Sequence, residues 1–483
     1  MRHAAILYVT GLMTLALGAM MLPCVAADLM VQKDTWRIFL LLSVVFMSVG
    51  GALALVTRSS SADIRRKDAF LLTVISWAAI TFVAAAPFQF GFGMSFTDSM
   101  FESMSGLTTT GSTVITGLQD LPESLIMWRA LLQGIGGIGI IVTAIAVLPS
   151  LKVGGMDLFH MESSDRSEKF MPRISDVALQ ITLVYLTLII LCAGLYRVTG
   201  MNEFEAITMA MTTLSTGGFA RTDASFAPYV AGGADMVAMV FMICGSLPFS
   251  LFAMTMHGDW KAFLRDPQPT VFLALLGGAC LLMTLYVMSR GDAVAVGPEG
   301  ALRMASFNVI SVMSGTGYGT TDFGLWGPFA STLFIILMVL GGTAGSASCG
   351  LKTFRVHIAV KACLAHVKRM VRPNRVAPIM YARRPVKPEV LQSVMVYVFL
   401  HLVTFAVGTC LLALTGLDAE QAVSGAATTL GCVGPGLGET IGPAGSFQPL
   451  PDVTKWIFIS LMLLGRLELI AVFVVLSPAF WRR

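Results

Sequence analysis

Four short stretches of this chain set a glycine among hydroxyl-bearing or small residues, and they recur about a hundred residues apart. They are Thr108-Thr109-Thr110-Gly111-Ser112, Leu214-Ser215-Thr216-Gly217-Gly218, Ser314-Gly315-Thr316-Gly317-Tyr318 and Gly431-Cys432-Val433-Gly434-Pro435. Their anchoring glycines, Gly111, Gly217, Gly317 and Gly434, are 106, 100 and 117 residues apart. Such loops carry no nucleophile with a base and no paired carboxylates. Four of them meeting on one axis offer something else, backbone carbonyls in place of a cation's water shell. The candidate ion ligands are therefore Thr109, Thr110 and Gly111, Ser215, Thr216 and Gly217, Gly315, Thr316 and Gly317, and Cys432, Val433 and Gly434. Glycine at each anchor lets carbonyls approach the axis with no side chain in the way.

Carbonyls can meet only if helices hold the loops. The 483 residues are 55% hydrophobic and 12% charged, with mean hydropathy +0.78. A soluble domain carries about 25% charge, so the chain reads as a polytopic membrane protein. The eight cysteines and six histidines are scattered, without metal-ligand or disulfide spacing. The first apolar run, from Ala4 to about Ala26, exceeds a signal-peptide core of about 7–15 residues and reads as a retained span. Pro23 before Cys24 argues against a lipoprotein signal.

A helix needs about 20 apolar residues to cross a bilayer. Ten segments qualify: 4–26, 36–57, 69–90, 124–148, 177–198, 235–256, 270–289, 328–351, 390–415 and 454–478. The last eight form four pairs, each enclosing one glycine loop. The expected fold is an all-α polytopic membrane protein with two extra N-terminal helices and four helix–pore-helix–helix repeats. The parts are 1–68, then repeats over 69–176, 177–268, 269–389 and 390–483. With the N-terminus in the cytoplasm, the inside segments hold 23 of the 32 Lys and Arg residues. The positive-inside rule favours that orientation. Both termini are then cytoplasmic, and all four loops enter from outside.

Short segments before the loops, 95–108, 202–213, 300–313 and 418–430, read as re-entrant helices. Acids cluster near their starts: Asp98 and Glu102, Glu203 and Glu205, Glu299, Asp418 and Glu420. They suit the positive end of a helix dipole. Plain capping and an electronegative outer mouth both account for them.

Three further features weigh on function. Gly134-Ile135-Gly136-Gly137-Ile138-Gly139 matches a dinucleotide fingerprint, but inside an apolar span it signals close helix packing. Gly341-Gly342-Thr343-Ala344-Gly345-Ser346-Ala347-Ser348-Cys349-Gly350 is a run of small residues that no continuous helix favours. It reads as a flexible break below the third loop, and as a feature of the third repeat alone. Arg466 lies mid-span and needs a partner, either Glu468 or the break itself. Lys352 and Arg355 read as snorkelling anchors. Residues 352–389 carry ten basic residues against one acid, for topology, lipid contact or a cytosolic partner.

These features together resemble the Trk/Ktr/HKT superfamily of potassium transporters. Further similar text is Thr428-Thr429-Leu430 through Gly434-Pro435-Gly436-Leu437-Gly438, Gly245-Ser246-Leu247-Pro248-Phe249-Ser250 and Gly465-Arg466-Leu467-Glu468. The two extra N-terminal spans are similar to the bacterial Trk branch. The resemblance implies potassium uptake across the bacterial plasma membrane, a homodimer with one pore per subunit, and K+ at the filter glycines. It implies a gate at 341–350 with Arg466 as its partner. It implies control by a separate cytosolic nucleotide-binding subunit (TrkA-like), with membrane lipids but no nucleic acid as further contacts. Gln133-Gly134 and Cys432-Val433 depart from the family pattern. The rival reading is an ion-coupled secondary transporter of another solute, built on broken helices. No cluster of acids, bases or nucleophiles supports an enzyme.

Overall fold

In the computed structural model, residues 3–58, 66–151, 174–290, 297–372, 378–382, 384–467 and 469–482 are described. The described residues are mostly helical, with a two-stranded pairing of Met380–Tyr381 with Arg384–Pro385. Among the described residues, six helices are long and apolar enough to cross a bilayer. They are Ala4–Val31, Trp36–Thr57, Phe70–Gly91, Asp176–Val198, Pro267–Ser289 and Pro388–Leu414. Their outer faces expose Leu41, Val44, Leu183, Ile190, Leu281, Leu285, Phe399 and Leu402, as helices facing lipid tails do.

The four re-entrant helices are Phe96–Leu107, Glu203–Leu214, Gly297–Ser314 and Ala419–Gly431, within a few residues of the expected segments. Three have side-chain caps: Ser95 accepts from Asp98 N, Asn202 forms a capping box with Glu205, and Asp418 accepts from Gln421 N. Each cap satisfies an orphan amide at the helix start, which fixes where the short helix begins.

Each pore helix packs against the helices on either side of it in sequence, and against the second helix of the preceding repeat. The first pore helix touches Asp452–Arg466 of the fourth repeat, the second touches Glu123–Leu151 of the first, the third touches Ala234–Ser246 of the second, and the fourth touches Pro328–Val339 of the third. The series closes on itself, so the four repeats surround one axis.

Several expectations are corrected here. The first span is helical from His3 to Met20 and again from Leu22 to Val31. The helix expected over 328–351 stops at Val339, and the next begins at Thr353. A break is not confined to the third repeat. The second helix of repeat two turns by 96° between Ala234–Ser246 and Phe249–Met256. Pro248 explains the turn: it cannot donate to the ladder, and it disfavours helical backbone at Leu247. Arg355 is not a snorkelling anchor. It is buried, with its guanidinium 3.7 Å from the centre of the Tyr397 ring. Lys352 reaches back to the Ser348 carbonyl. Glu468, Arg383 and most of the 149–176 segment lie outside the described residues.

The N-terminal pair packs backbone to backbone. A Cβ on Gly50 would lie 2.5 Å from Leu15 N, and one on Gly11 would lie 2.9 Å from Ala54 N. The Ser43 hydroxyl donates to Gly18 O at 2.7 Å. Gly50→Val should therefore force the pair apart and destabilise the protein by about 1–3 kcal/mol. Gly277→Val, where a Cβ meets nothing within 4 Å, should leave stability unchanged. Thermal unfolding of both variants in one detergent checks the contrast.

Candidate functional site

All four pore helices end in the same hydrogen-bonded closure. One residue adopts the left-handed conformation: Thr109 (φ 53°), Thr216 (φ 51°), Gly315 (φ 81°) and Cys432 (φ 51°). The next amide then reaches back five residues. Thr110 N donates to Ser105 O, Gly217 N to Thr212 O, Thr316 N to Ser311 O and Val433 N to Thr428 O, at 2.8–2.9 Å. This is the Schellman pattern of helix termination. It aims the chain away from the helix axis at four equivalent places.

The closure fixes the register between loops. Thr110, Gly217, Thr316 and Val433 are equivalent, and so are Gly111, Gly218, Gly317 and Gly434, which all have positive φ. The sequence alignment sets Gly217 beside Gly111. In the structure Gly218 takes that position, and Gly217 falls one place earlier. Two adjacent glycines hide that register, because only the helix end decides which one follows the bonded amide.

The loops touch in a closed cycle. A Cβ built on Gly111 would overlap Gly217 O, one on Gly218 would overlap Thr316 O, and one on Gly317 would overlap Val433 O. One on Gly434 would lie 2.8 Å from Thr110 O. Each glycine thus rests against the carbonyl of the following repeat, and the fourth returns to the first. Ser112 Oγ adds a bond to Gly434 O at 2.7 Å. The four equivalent glycines line one cavity of about 170 Å³, together with Arg129, Asp223 and Pro435.

Side chains brace this ring. Ser105 Oγ donates to Ser112 O at 2.6 Å, and Ser311 Oγ donates to Tyr318 O at 2.7 Å. Gln133 spans the second loop, giving Nε2–H to Gly217 O at 2.6 Å and accepting from Phe219 N at 3.0 Å. The acids of the pore helices are mostly committed to the fold. Glu102 is fully buried against Arg129 at 2.8 Å and accepts from Thr113 Oγ1 and Val114 N. Asp98 pairs with Lys455 at 2.6 Å, and Glu205 lies 3.8 Å from Arg221. Capping and pairing account for these three better than an electronegative mouth does. Arg129 also donates to Ala220 O at 3.0 Å and sits 4.0 Å from the centre of the Phe219 ring. It therefore joins the first and second loops. A lone Arg within an apolar span was the signal that could have found it. Asp223 accepts from Gly117 N and Leu118 N at 2.8 and 3.0 Å, and no motif marks it.

Below the ring, residues 341–350 form a non-helical loop. Its neck is closed by Gly341 N to Leu351 O, Leu351 N to Val339 O and Thr353 N to Gly342 O, each 3.0 Å. Its body is pinned to the bent second repeat. Thr343 N donates to Ser246 O, Ala347 N to Gly245 O and Phe249 N to Gly345 O. Thr343 Oγ1 donates to Ser246 O, Ala344 N to Gln268 Oε1, and Gly342 N to Ser348 Oγ. Ser348 and Cys349 lie beside Gly315 of the third loop. Arg466 is 1% exposed. It donates to Ala347 O at 3.0 Å, to Gly136 O at 2.6 Å and to the Cys349 sulfur at 2.8 Å. The glycines at 134–139 do pack closely: a Cβ on Gly136 would overlap Leu107 O, and one on Gly137 would lie 2.9 Å from the Ser215 Cβ.

A helical bundle crossing the membrane, with four inward loops closed into a ring, defines a membrane protein of the four-loop pore class. A family model described as "TrkH: Cation transport protein" matches residues 37–483, and the chain belongs to that family. It is 39% identical to the Trk system potassium uptake protein TrkI of Halomonas elongata, over 100% of this chain and 98% of that protein. It is 32% identical to the Trk system potassium uptake protein TrkH of Escherichia coli K12, over the full length of both. The crystal structure of the potassium transporter TrkH from Vibrio parahaemolyticus superposes with TM-score 0.91 at 29% identity, covering all of both chains.

The register makes a test. Gly218→Ala places a methyl on the Thr316 carbonyl at positive φ and should lower cation flux in proteoliposomes by at least roughly a hundredfold, about 2.7 kcal/mol. Gly217→Ala has the Gln133 side chain, not a backbone carbonyl, as its nearest contact and should lose flux by less than roughly tenfold, about 1.4 kcal/mol. Adding Gln133→Ala should restore flux to the Gly217 variant and not to the Gly218 variant.

Proposed function

We propose that this protein takes up K+ through the ring of four loops. The closed cycle of glycine-on-carbonyl contacts is the observation that carries the reading. Carbonyls of Thr110, Gly217, Thr316 and Val433, with their neighbours at Thr109, Gly111, Thr216, Gly315, Gly317, Cys432 and Gly434, substitute for the ion's hydration shell. Gly218 joins them as the fourth equivalent glycine, and Ser215 is the residue that ends the second pore helix. The names of the full-length relatives, which are potassium uptake proteins, support the choice of ion. The ring is short, so discrimination against Na+ is moderate.

In this reading the 341–350 segment is the gate and Arg466 holds it shut. Four glycines among ten small residues keep the backbone from a stable helix, and the Ala347 carbonyl of this segment accepts from the charge that a bilayer span otherwise rejects. Opening is a local rearrangement driven by a partner with higher affinity for the open state. The basic surface of 352–389 faces the cytoplasm with both termini and docks a separate nucleotide-binding subunit, and two copies of the chain form a dimer in the bacterial inner membrane.

Flux of K+, Rb+ and Na+ from proteoliposomes tests the ion reading. The wild type should pass K+ and Rb+ better than Na+. Gly111→Ser displaces the Gly217 carbonyl and should raise the Na+/K+ ratio on the order of tenfold, about 1.4 kcal/mol of lost discrimination. An unchanged ratio removes Gly111 from the filter.

The gate has its own test. Arg466→Ala, and separately a shortened 341–350 segment, should each raise basal flux without any cytosolic partner. Properly folded variants with wild-type or lower flux would put the gate elsewhere and leave Arg466 a structural residue.

A further inference from the structure

Two of the eight cysteines meet where the 341–350 segment passes beneath the ring. Cys349 belongs to that segment, and Cys432 is the left-handed residue that ends the fourth pore helix. The Cys432 thiol donates to Met462 O at 3.8 Å, and the two thiols lie close enough to interact with each other. Gly315 lies against both: a Cβ built there would be 3.4 Å from Cys432 O and 3.9 Å from Cys349 N. Both cysteines are buried within the protein, at 7% and 1% exposure.

We propose that Cys349 and Cys432 form a dithiol–disulfide switch, in which oxidation by a small peroxide entering along the ion path ties the 341–350 segment to the fourth loop and arrests transport. The proposal rests on the reading of that segment as the moving element. The two cysteines are 83 positions apart and lie on different repeats, so a bond between them fixes one repeat's loop against another's. A pair of buried thiols also serves as plain apolar packing. Two observations favour chemistry. The two thiols lie close enough to interact, and their backbones flank one glycine, Gly315, as a disulfide with its short Cα separation of about 4.4–6.8 Å requires. Arg466 Nη1 stands 2.8 Å from the Cys349 sulfur, so negative charge on that sulfur meets a cation.

The Cys349 thiolate attacks one peroxide oxygen, the O–O bond breaks, and the leaving hydroxide takes up a proton as water. Cys349 is then a sulfenic acid. The Cys432 sulfur attacks the Cys349 sulfur, the S–O bond breaks, and hydroxide leaves with the Cys432 proton as a second water. Two thiols lose two electrons, and one hydrogen peroxide becomes two waters. A dithiol reductant reverses the change by thiol–disulfide exchange.

The test uses the full-length chain in proteoliposomes, with the exposed Cys363 and Cys410 changed to serine so that they do not react. Hydrogen peroxide should yield a peptide cross-linked between 349 and 432 by mass spectrometry. Rb+ flux should fall at least roughly tenfold, as an obstructed pore requires, and return with dithiothreitol. Cys349→Ser and Cys432→Ser, each in that background and each compared with its own untreated flux, should show no further fall on peroxide treatment. The absence of the 349–432 cross-link after peroxide has consumed thiols overturns the pairing while leaving the Arg466→Ala test of the gate untouched. A cross-link with unchanged flux overturns the switch. If the shortened segment also leaves flux unchanged, the gate reading falls with it. The cross-link is read in the parent background, so a serine variant that fails to fold does not decide the result.

Discussion

The contact on which everything else depends is a glycine Cα resting on the carbonyl oxygen of the neighbouring repeat. It occurs at Gly111, Gly218, Gly317 and Gly434, and a single methyl at any of them intrudes on a carbonyl of another loop. Irregular backbone at membrane depth survives only when buried in protein or lining a wet cavity. The ring supplies that burial. The capped pore helices, the shared Schellman closures and the cyclic packing of each pore helix on the preceding repeat serve to hold these contacts in register.

Buried charge is handled in two ways around this axis. Arg129 meets a full carboxylate, Glu102, and the pair is satisfied further by Thr113, Val114 and Ala220. Removing one member of such a pair typically costs about 3–5 kcal/mol, so this is a fixed brace. Arg466 instead draws on the carbonyls of Ala347 and Gly136 and on a thiol, and its Nε–H has no acceptor among the described residues. Dipoles of a loop hold a charge more weakly than a carboxylate does. Arg129 is therefore held by a full opposite charge, and Arg466 by dipoles and a thiol alone.

Much of the architecture was legible in the sequence, because apolar run length and loop spacing are direct consequences of a bilayer. The four pore helices fell within a few residues of their expected bounds. The break at 341–350 was readable from its glycines. The bend at Pro248 was underread, although a proline within an apolar span is the usual cause of such a turn. The register of the second loop was not legible, since Gly217 and Gly218 are chemically alike and differ only in what the preceding helix bonds. Nor was the Glu102–Arg129 pair, whose members are 27 residues apart and meet through tertiary packing.

One consequence follows from the Gln133 bridge to the second loop. A pore assembled from four identical chains must alter every quarter at once. Here the quarters are written separately in one gene, and one carbonyl of the ring, that of Gly217, already carries an amide donor that the described contacts give to no equivalent carbonyl. Hydrogen bonding to the carbonyls around the axis is thus adjustable in single-quarter increments. Divergence among the four loops, from Thr110 to Val433, is a record of that freedom.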